Sequence, residues 1–392
     1  MNILSIETSC DETAISIITT NADMTNFMVQ SDLVISQIDI HAEYGGVFPA
    51  LAKREHANNL VPLLNSSFQS KKLDVDTKID LSPDTEKTVL EILEREPELA
   101  EKLIHFFAEN NVANIDMVMV THGPGLAPAL WVGVNFARAL SVIFDCPILP
   151  VNHMEGHITS ILLQDDYINK PQALYSLSDF TFPMIALLIS GGHTQIILVR
   201  GWCDYEILGE TIDDAVGEAF DKVARMLGMQ YPGGPKISAA AQHGKHNDDI
   251  SLPRPMLHSG DYRFSFSGLK TSARYLIQKL TDQGKMDEQY ISDIALEFEH
   301  AVTETLIKKT MNAVMEYNAT GLIIAGGVSA NKTITNAFQD KTKEYGINLY
   351  LPEKHMCGDN SLMIATAGFM NLKYKKTPTP QNEVGATGNL KL

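Results

Sequence analysis

The chain has 392 residues, 44% of them hydrophobic, and a formal charge of −17. That length supports a large buried core and two domains, while the acidic excess would repel nucleic acid at long range, so any RNA contact must use a local basic patch or a helper protein. The four cysteines, Cys10, Cys146, Cys203 and Cys357, are scattered with no C-x-x-C pair, which argues against a zinc ribbon or a disulfide framework and fits a reducing, cytoplasmic setting.

No apolar run reads as long enough to span a bilayer, and Met1 leads straight into a strand without a basic or cleavable leader, so no membrane association is expected. Residues 1–6 read as a buried strand, Glu7-Thr8-Ser9-Cys10-Asp11-Glu12-Thr13 as a polar turn and residues 14–18 as the return strand. Gly45 and Gly46 turn the chain into a helix over 50–64 that carries Lys53, Arg54 and His56. Those three form either an RNA-facing basic cluster or an ordinary solvated face. Residues 71–111 are acidic and polar. Ser82-Pro83 starts a helix there, the apolar spacing Val89, Leu93, Leu99, Leu103, Phe106 continues it, and Pro97 breaks it in two. The segment reads as an inserted helical hairpin, a tolerated surface elaboration or a flap for a partner or tRNA.

Residues 117–120 form a strand that runs into Thr121-His122-Gly123-Pro124-Gly125 and then an apolar helix over 127–144. A further strand ends at Asn152, where a helical pattern begins. His153 and His157 then share one helix face, a spacing that lets two imidazoles grip one metal ion. The alternative is one surface histidine and one that packs locally. Residues 185–199 repeat the opening grammar of strand, hydroxyl-bearing tip (Ser190-Gly191-Gly192-His193-Thr194) and return strand, which points to an internal duplication. A helix over 213–224 places Asp221 either to serve the helix or to accept hydrogen bonds from a ribose, and the Gly233-Gly234 turn would let a base lie on bare backbone. Residues 288–317 read as a core helix. Residues 322–325 run into Gly326-Gly327-Val328-Ser329-Ala330-Asn331 and another helix. Each strand, glycine turn and helix start gathers backbone N–H groups suited to an anion, unless the glycines only allow close packing. Asp359 is either the cap of the last helix or a third, carboxylate ligand completing a His₂Asp set.

Taken together, several of these stretches carry a resemblance. They are Ile6-Glu7-Thr8-Ser9-Cys10-Asp11-Glu12-Thr13, Gly123-Pro124-Gly125-Leu126, Asn152-His153-Met154-Glu155-Gly156-His157, Ser190-Gly191-Gly192-His193-Thr194 and Gly217-Glu218-Ala219-Phe220-Asp221-Lys222. Tyr231-Pro232-Gly233-Gly234-Pro235, Phe264-Ser265-Phe266-Ser267-Gly268-Leu269-Lys270-Thr271 and Gly326-Gly327-Val328-Ser329-Ala330-Asn331 belong to the same set. The chain resembles the TsaD family, bacterial tRNA N6-adenosine threonylcarbamoyltransferases once labelled glycoproteases, over nearly its whole length apart from 71–111.

The resemblance implies an α/β fold of two duplicated actin-like ATPase (RNase H-like) lobes with a cleft between them. It puts the N-terminal lobe at 1–152 and the C-terminal lobe at 153–392, with the last helix packing back on the first lobe. It implies transfer of a threonylcarbamoyl group from its adenylate to N6 of the adenosine 3′ of a tRNA anticodon. By the same resemblance His153, His157 and Asp359 hold a divalent metal, iron (Fe2+) ahead of zinc. Leu188, Ile189, Ser190, Gly191, Gly192, Asp221, Gly234 and Asn331 bind the adenylate, and Asp11 positions the attacking amine or accepts its proton. TsaB-like and TsaE-like proteins are the implied partners. One departure is Cys357-Gly358-Asp359-Asn360-Ser361-Leu362, where the family commonly has Thr before the Asp and Ala after the Asn.

Three rivals stand beside that reading. A metallopeptidase would want H-E-x-x-H, but Glu155 lies two residues after His153 and is rotated off the histidine face. A metabolite kinase on the same scaffold needs no histidine pair. A non-catalytic scaffold would use its nucleotide site only to control assembly.

Overall fold

The computed structural model describes residues 1–70, 72–374 and 377–392. Lys71, where the expected insertion begins, lies outside the described residues. The chain forms two compact units. The first comprises Met1–Asp39, Val47–Asp179 and Asp359–Leu392, and the second Ile40–Gly46 and Phe180–Gly358.

In the first unit, β1 (Asn2–Glu7), β2 (Glu12–Thr20), β3 (Phe27–Ser36), β4 (Met117–Gly123) and β5 (Ile148–Asn152) form one sheet in the order β3-β2-β1-β4-β5. β1 pairs antiparallel with β2 (Ile6↔Ile15) and parallel with β4 (Ile6↔Val120). Such a central strand is covered on both faces, and Ile3, Leu4 and Ile6 are accordingly fully buried. In the second unit, β6 (Met184–Ile189), β7 (Thr194–Gly201), β8 (Asp204–Glu210), β9 (Gly321–Ala325) and β10 (Asn348–Tyr350) take the order β10-β9-β6-β7-β8. β6 is antiparallel to β7 and parallel to β9. Read from the opposite edge this is the strand order of the first unit. The duplicated, actin-like arrangement expected from the sequence is thus present in both halves.

Residues 153–179 stay with the first unit, beyond the expected boundary at 152. The helix His153–Thr159 packs on the helix Ser361–Tyr374, and Asn371 Nδ2 donates to Glu155 Oε2 at 3.0 Å.

Three expectations change. The 71–111 segment joins the core rather than the surface: within its helices Pro83–Ile92 and Pro97–Glu109, Val89, Leu99, Leu103 and Phe107 are buried in the first unit's hydrophobic core, packed on the helices Ala127–Phe144 and Pro49–Phe68. Ser82 caps the first of these helices by accepting from Thr85 N at 3.1 Å, and Pro97 opens the second. His56 does not join a solvated face, for it is fully buried, with Nδ1 at 2.8 Å from Thr13 Oγ1 and Nε2 at 3.0 Å from Cys10 O. Finally, the helix Ala127–Phe144 is long and apolar enough to cross a bilayer by length and composition, against the expectation that no run would be. Two-thirds of it is buried, against β4 and the helices Pro49–Phe68 and Pro83–Ile92, which explains its apolarity as that of a core helix.

Candidate functional site

β5 ends on Asn152, whose Oδ1 accepts from Met154 N at 2.8 Å and caps the short helix His153–Thr159. That helix sets His153 and His157 side by side, with ring centroids 4.7 Å apart. The carboxylate comes from the far end of the chain. Asn360, not Asp359, caps the helix Ser361–Tyr374, by accepting from Met363 N at 2.8 Å. Asp359 Oδ1 lies 3.4 Å from His153 Nε2 and 3.2 Å from His157 Nε2. The ligand atoms of the three residues lie within 4.8 Å of one another and can hold one metal ion.

The residues fit such an ion on two grounds. His157 is 1% exposed, yet among the described residues neither ring nitrogen has a hydrogen-bond partner; the Asp359 oxygen is near enough but not in bonding geometry. An imidazole stripped of water and left without a donor or acceptor is costly unless something else occupies its lone pair. Two nitrogens and one oxygen also form a donor set that suits divalent first-row metals. For His153, burial opposes the charged ring, but the Asp359 and Glu7 carboxylates outweigh it and push the group up to about 9.

Glu7, a residue not singled out in the sequence, is fully buried at the end of β1. Its Oε1 accepts from Ser9 N, its Oε2 accepts from Thr121 Oγ1, and Oε2 also lies 3.2 Å from His153 Nδ1. Thr121 and His153 are remote in sequence, so no local pattern reveals its link to the histidine. Asp11 is 7% exposed, in the turn between β1 and β2. It stands against Cys10 and Glu12. Burial first, then Asp11 and Asp359, hold both the thiol and the Glu12 carboxyl well above their usual ranges. Glu12 therefore keeps its proton into the range where an ordinary carboxyl has lost it.

In the second unit the β6–β7 tip carries the expected glycine loop. Leu188 and Ile189 are buried strand residues, whereas Gly191 and Gly192 are exposed, with nothing within 4 Å of where a Cβ would stand. Ser190 Oγ accepts from His193 N at 3.0 Å and shapes the tip. The helix Val216–Met226 begins against it, since a Cβ on Gly217 would lie 2.7 Å from Ser190 O. The turn after β9 meets the same tip. Gly326 has φ +91 and sits where a Cβ would come within 2.5 Å of Ile189 O. The first unit repeats this contact, with Gly125 packed against Ser9.

Gly233 and Gly234 open the helix Gly233–Ala241 rather than forming a free turn, and Asp221 Oδ1 fixes its start by accepting from Gly233 N at 2.7 Å. A cavity of about 390 Å³ beside it is lined by Tyr44, Arg225 and Tyr231 among others. Asn331 caps the helix Lys332–Tyr345, while its Nδ2 donates to Ser238 Oγ and to Glu299 Oε1 at 2.8 Å. The buried Glu299, also missed in the sequence, thus orients Asn331.

Comparison with known proteins gives a consistent result. The family described as TsaD, tRNA N6-adenosine threonylcarbamoyltransferase, matches residues 28–81 and 96–366. Only 82–95 is skipped internally, a narrower insertion than the expected 71–111. The chain is 41% identical to a tRNA N6-adenosine threonylcarbamoyltransferase of Chromobacterium violaceum, covering 95% of this chain and 94% of that protein. It is 37% identical to the Thermosipho africanus protein of the same name over all of both. Among solved structures it is similar to full-length HypF in a phosphate- and nucleotide-bound form (TM-score 0.48, 12% identity, 72% of this chain and 42% of that one). It is also similar to the activator of the 2-hydroxyisocaproyl-CoA dehydratase from Clostridium difficile (TM-score 0.45, 11% identity, 97% of this chain and 100% of that one).

Proposed function

The chain belongs to the tRNA N6-adenosine threonylcarbamoyltransferase family, and from that premise we propose how its residues divide the work of the transfer. The enzyme is an acyltransferase acting on tRNA. The exocyclic amine of adenine is a poor nucleophile because its lone pair is delocalised into the ring. The carbamoyl carbon must therefore arrive activated, as threonylcarbamoyl-adenylate. N6 bonds to that carbon, the carbon–oxygen bond to the phosphate breaks, and AMP leaves.

The adenylate is bound by the second unit. The backbone N–H of Gly191 serves its phosphate without reorganising, Gly192 lies exposed beside it, and Ser190, whose N donates to His193 O at 2.9 Å, holds the tip in shape. Leu188 and Ile189 anchor the loop, Asp221 takes the ribose, and Gly234 and Asn331 complete the nucleotide site. In the first unit, His153, His157 and Asp359 would hold a divalent ion, Fe2+ in preference to Zn2+, whose charge would supply Lewis-acid chemistry when bound. Asp11, buried in the turn after β1, accepts the N6 proton. A protein of charge −17 gains from partners that bring positive surface to tRNA. TsaB-like and TsaE-like proteins in the cytoplasm fill that place.

The unpartnered His157 beside Asp359 is the observation that carries this reading. Reconstitution with a threonylcarbamoyl-adenylate synthase, threonine, bicarbonate, ATP, partner proteins and unmodified tRNA, followed by nucleoside analysis, tests it. Modified adenosine should form with the wild type and fail with His157→Ala. An Asp11→Ala protein with full activity removes Asp11 from the scheme.

A further inference from the structure

We propose that Glu7 is a positioning residue for the metal centre, holding His153 as the tautomer protonated on Nδ1 so that Nε2 offers its lone pair beside Asp359. The inference rests on the metal reading of His153, His157 and Asp359.

The argument begins with what a buried carboxylate needs. Glu7 is 0% exposed, and an ionised group so placed persists only with donors on its oxygens. Ser9 N serves Oε1 and Thr121 Oγ1 serves Oε2. The remaining neighbour is His153 Nδ1, 3.2 Å from Oε2, with Ser9 Oγ at 3.3 Å on the same nitrogen. A carboxylate can only accept, so Nδ1 keeps its proton and Nε2 is the nitrogen left to give up a proton and offer its lone pair to a metal. Nε2 is the nitrogen that faces Asp359, at 3.4 Å.

This is how a ligating imidazole is generally braced. Its other nitrogen donates to a carboxylate, which fixes the ring's orientation and makes it a stronger base. Glu7 is not needed to join its strand to the next, because β1 and β4 are already paired in register from Ile3↔Met117 to Ile6↔Val120. His157 differs: its Nδ1 has no hydrogen-bond partner among the described residues. The centre is therefore braced at one histidine, and the effect of Glu7 passes through His153.

The test uses the metal-free full-length protein and Zn2+ as the probe, with affinity read by competition against a chromogenic chelator at one neutral pH. Glu7→Gln should weaken Zn2+ binding by roughly 10- to 100-fold while the metal-free protein melts near the wild-type temperature. In a His153→Ala background the same change should cost nothing more. An unchanged affinity in Glu7→Gln overturns the proposal, as does an equal loss that persists without His153. Should Glu7→Gln not fold, the wild-type Zn2+ protein decides the matter through long-range proton–nitrogen correlation of its labelled histidines. A proton on Nδ1 and metal on Nε2 of His153 supports the proposal, and the opposite tautomer ends it. A wild type that takes up no Zn2+ would instead remove the metal reading beneath it.

Discussion

Asn360 accepts the hydrogen bond from Met363 N that caps the helix Ser361–Tyr374, and its neighbour Asp359 faces the two histidines instead. Two adjacent side chains that could each have capped the helix thus divide the tasks. Asn360→Ala should cost about 1 kcal/mol of stability from the lost cap and also weaken Zn2+ binding, because the first turn no longer fixes Asp359. Asn360→Asp, which can still cap, should keep most of the stability. Thermal melting and chelator competition on both variants check this.

Metal should stabilise the folded chain by mass action, since the three ligands come together only in the native state. At a Zn2+ concentration about 100 times its Kd the gain is about 2.7 kcal/mol. The resulting rise in melting temperature should vanish in Asp359→Ala.

Substitutions at two adjacent glycines should separate packing from binding. Gly326→Ala forces a Cβ to within 2.5 Å of Ile189 O at φ +91. It should lose several kcal/mol or fail to fold. Gly327→Ala meets nothing within 4 Å and should melt close to the wild type.

Asp214 gives a pH signature. Burial raises its carboxyl, but ion pairs with Lys270 at 2.6 Å and Lys222 at 3.0 Å outweigh that and hold it below the usual carboxylate range. A group whose folded pKa is depressed adds stability above its unfolded pKa, and that stability disappears as pH falls through the folded value. Asp214→Asn should therefore be less stable than the wild type by about 1–2 kcal/mol at neutral pH. The gap should close in strong acid, as measured by denaturant unfolding across pH.

Phe107, in the segment read as an insertion, is fully buried, with its ring edge-on to Phe106 at 5.1 Å and to Phe144 at 5.5 Å. Phe107→Ala should cost about 3–5 kcal/mol, measurable by denaturant unfolding.

What could be read in the sequence followed from local spelling. Strand, polar tip and return strand mark both halves because continuous apolar runs and turn chemistry act over a few residues. The His153–His157 spacing is likewise local. The sequence left Asp359 open between cap and ligand, since Asp and Asn both cap helices and the choice depends on which one the incoming chain turns toward the imidazoles. His56 was legible in principle. Ala52, His56, Leu60 and Leu64 recur every four residues and share the buried face, but the basic Lys53 and Arg54 beside it give the stretch the look of a solvated face. Glu7 had no such trace. Its meaning lies in Thr121 and His153, more than a hundred residues away, brought close only by the pairing of β1 with β4 and β4 with β5.

The first unit is closed by chain from both ends, Met1 at one and Asp359–Leu392 at the other. Translation therefore finishes both histidines long before their carboxylate emerges from the ribosome. A product halted at Gly358 would keep Glu7 and the imidazole pair but lack Asp359, so on the proposed metal reading it should hold the ion more weakly than the finished chain.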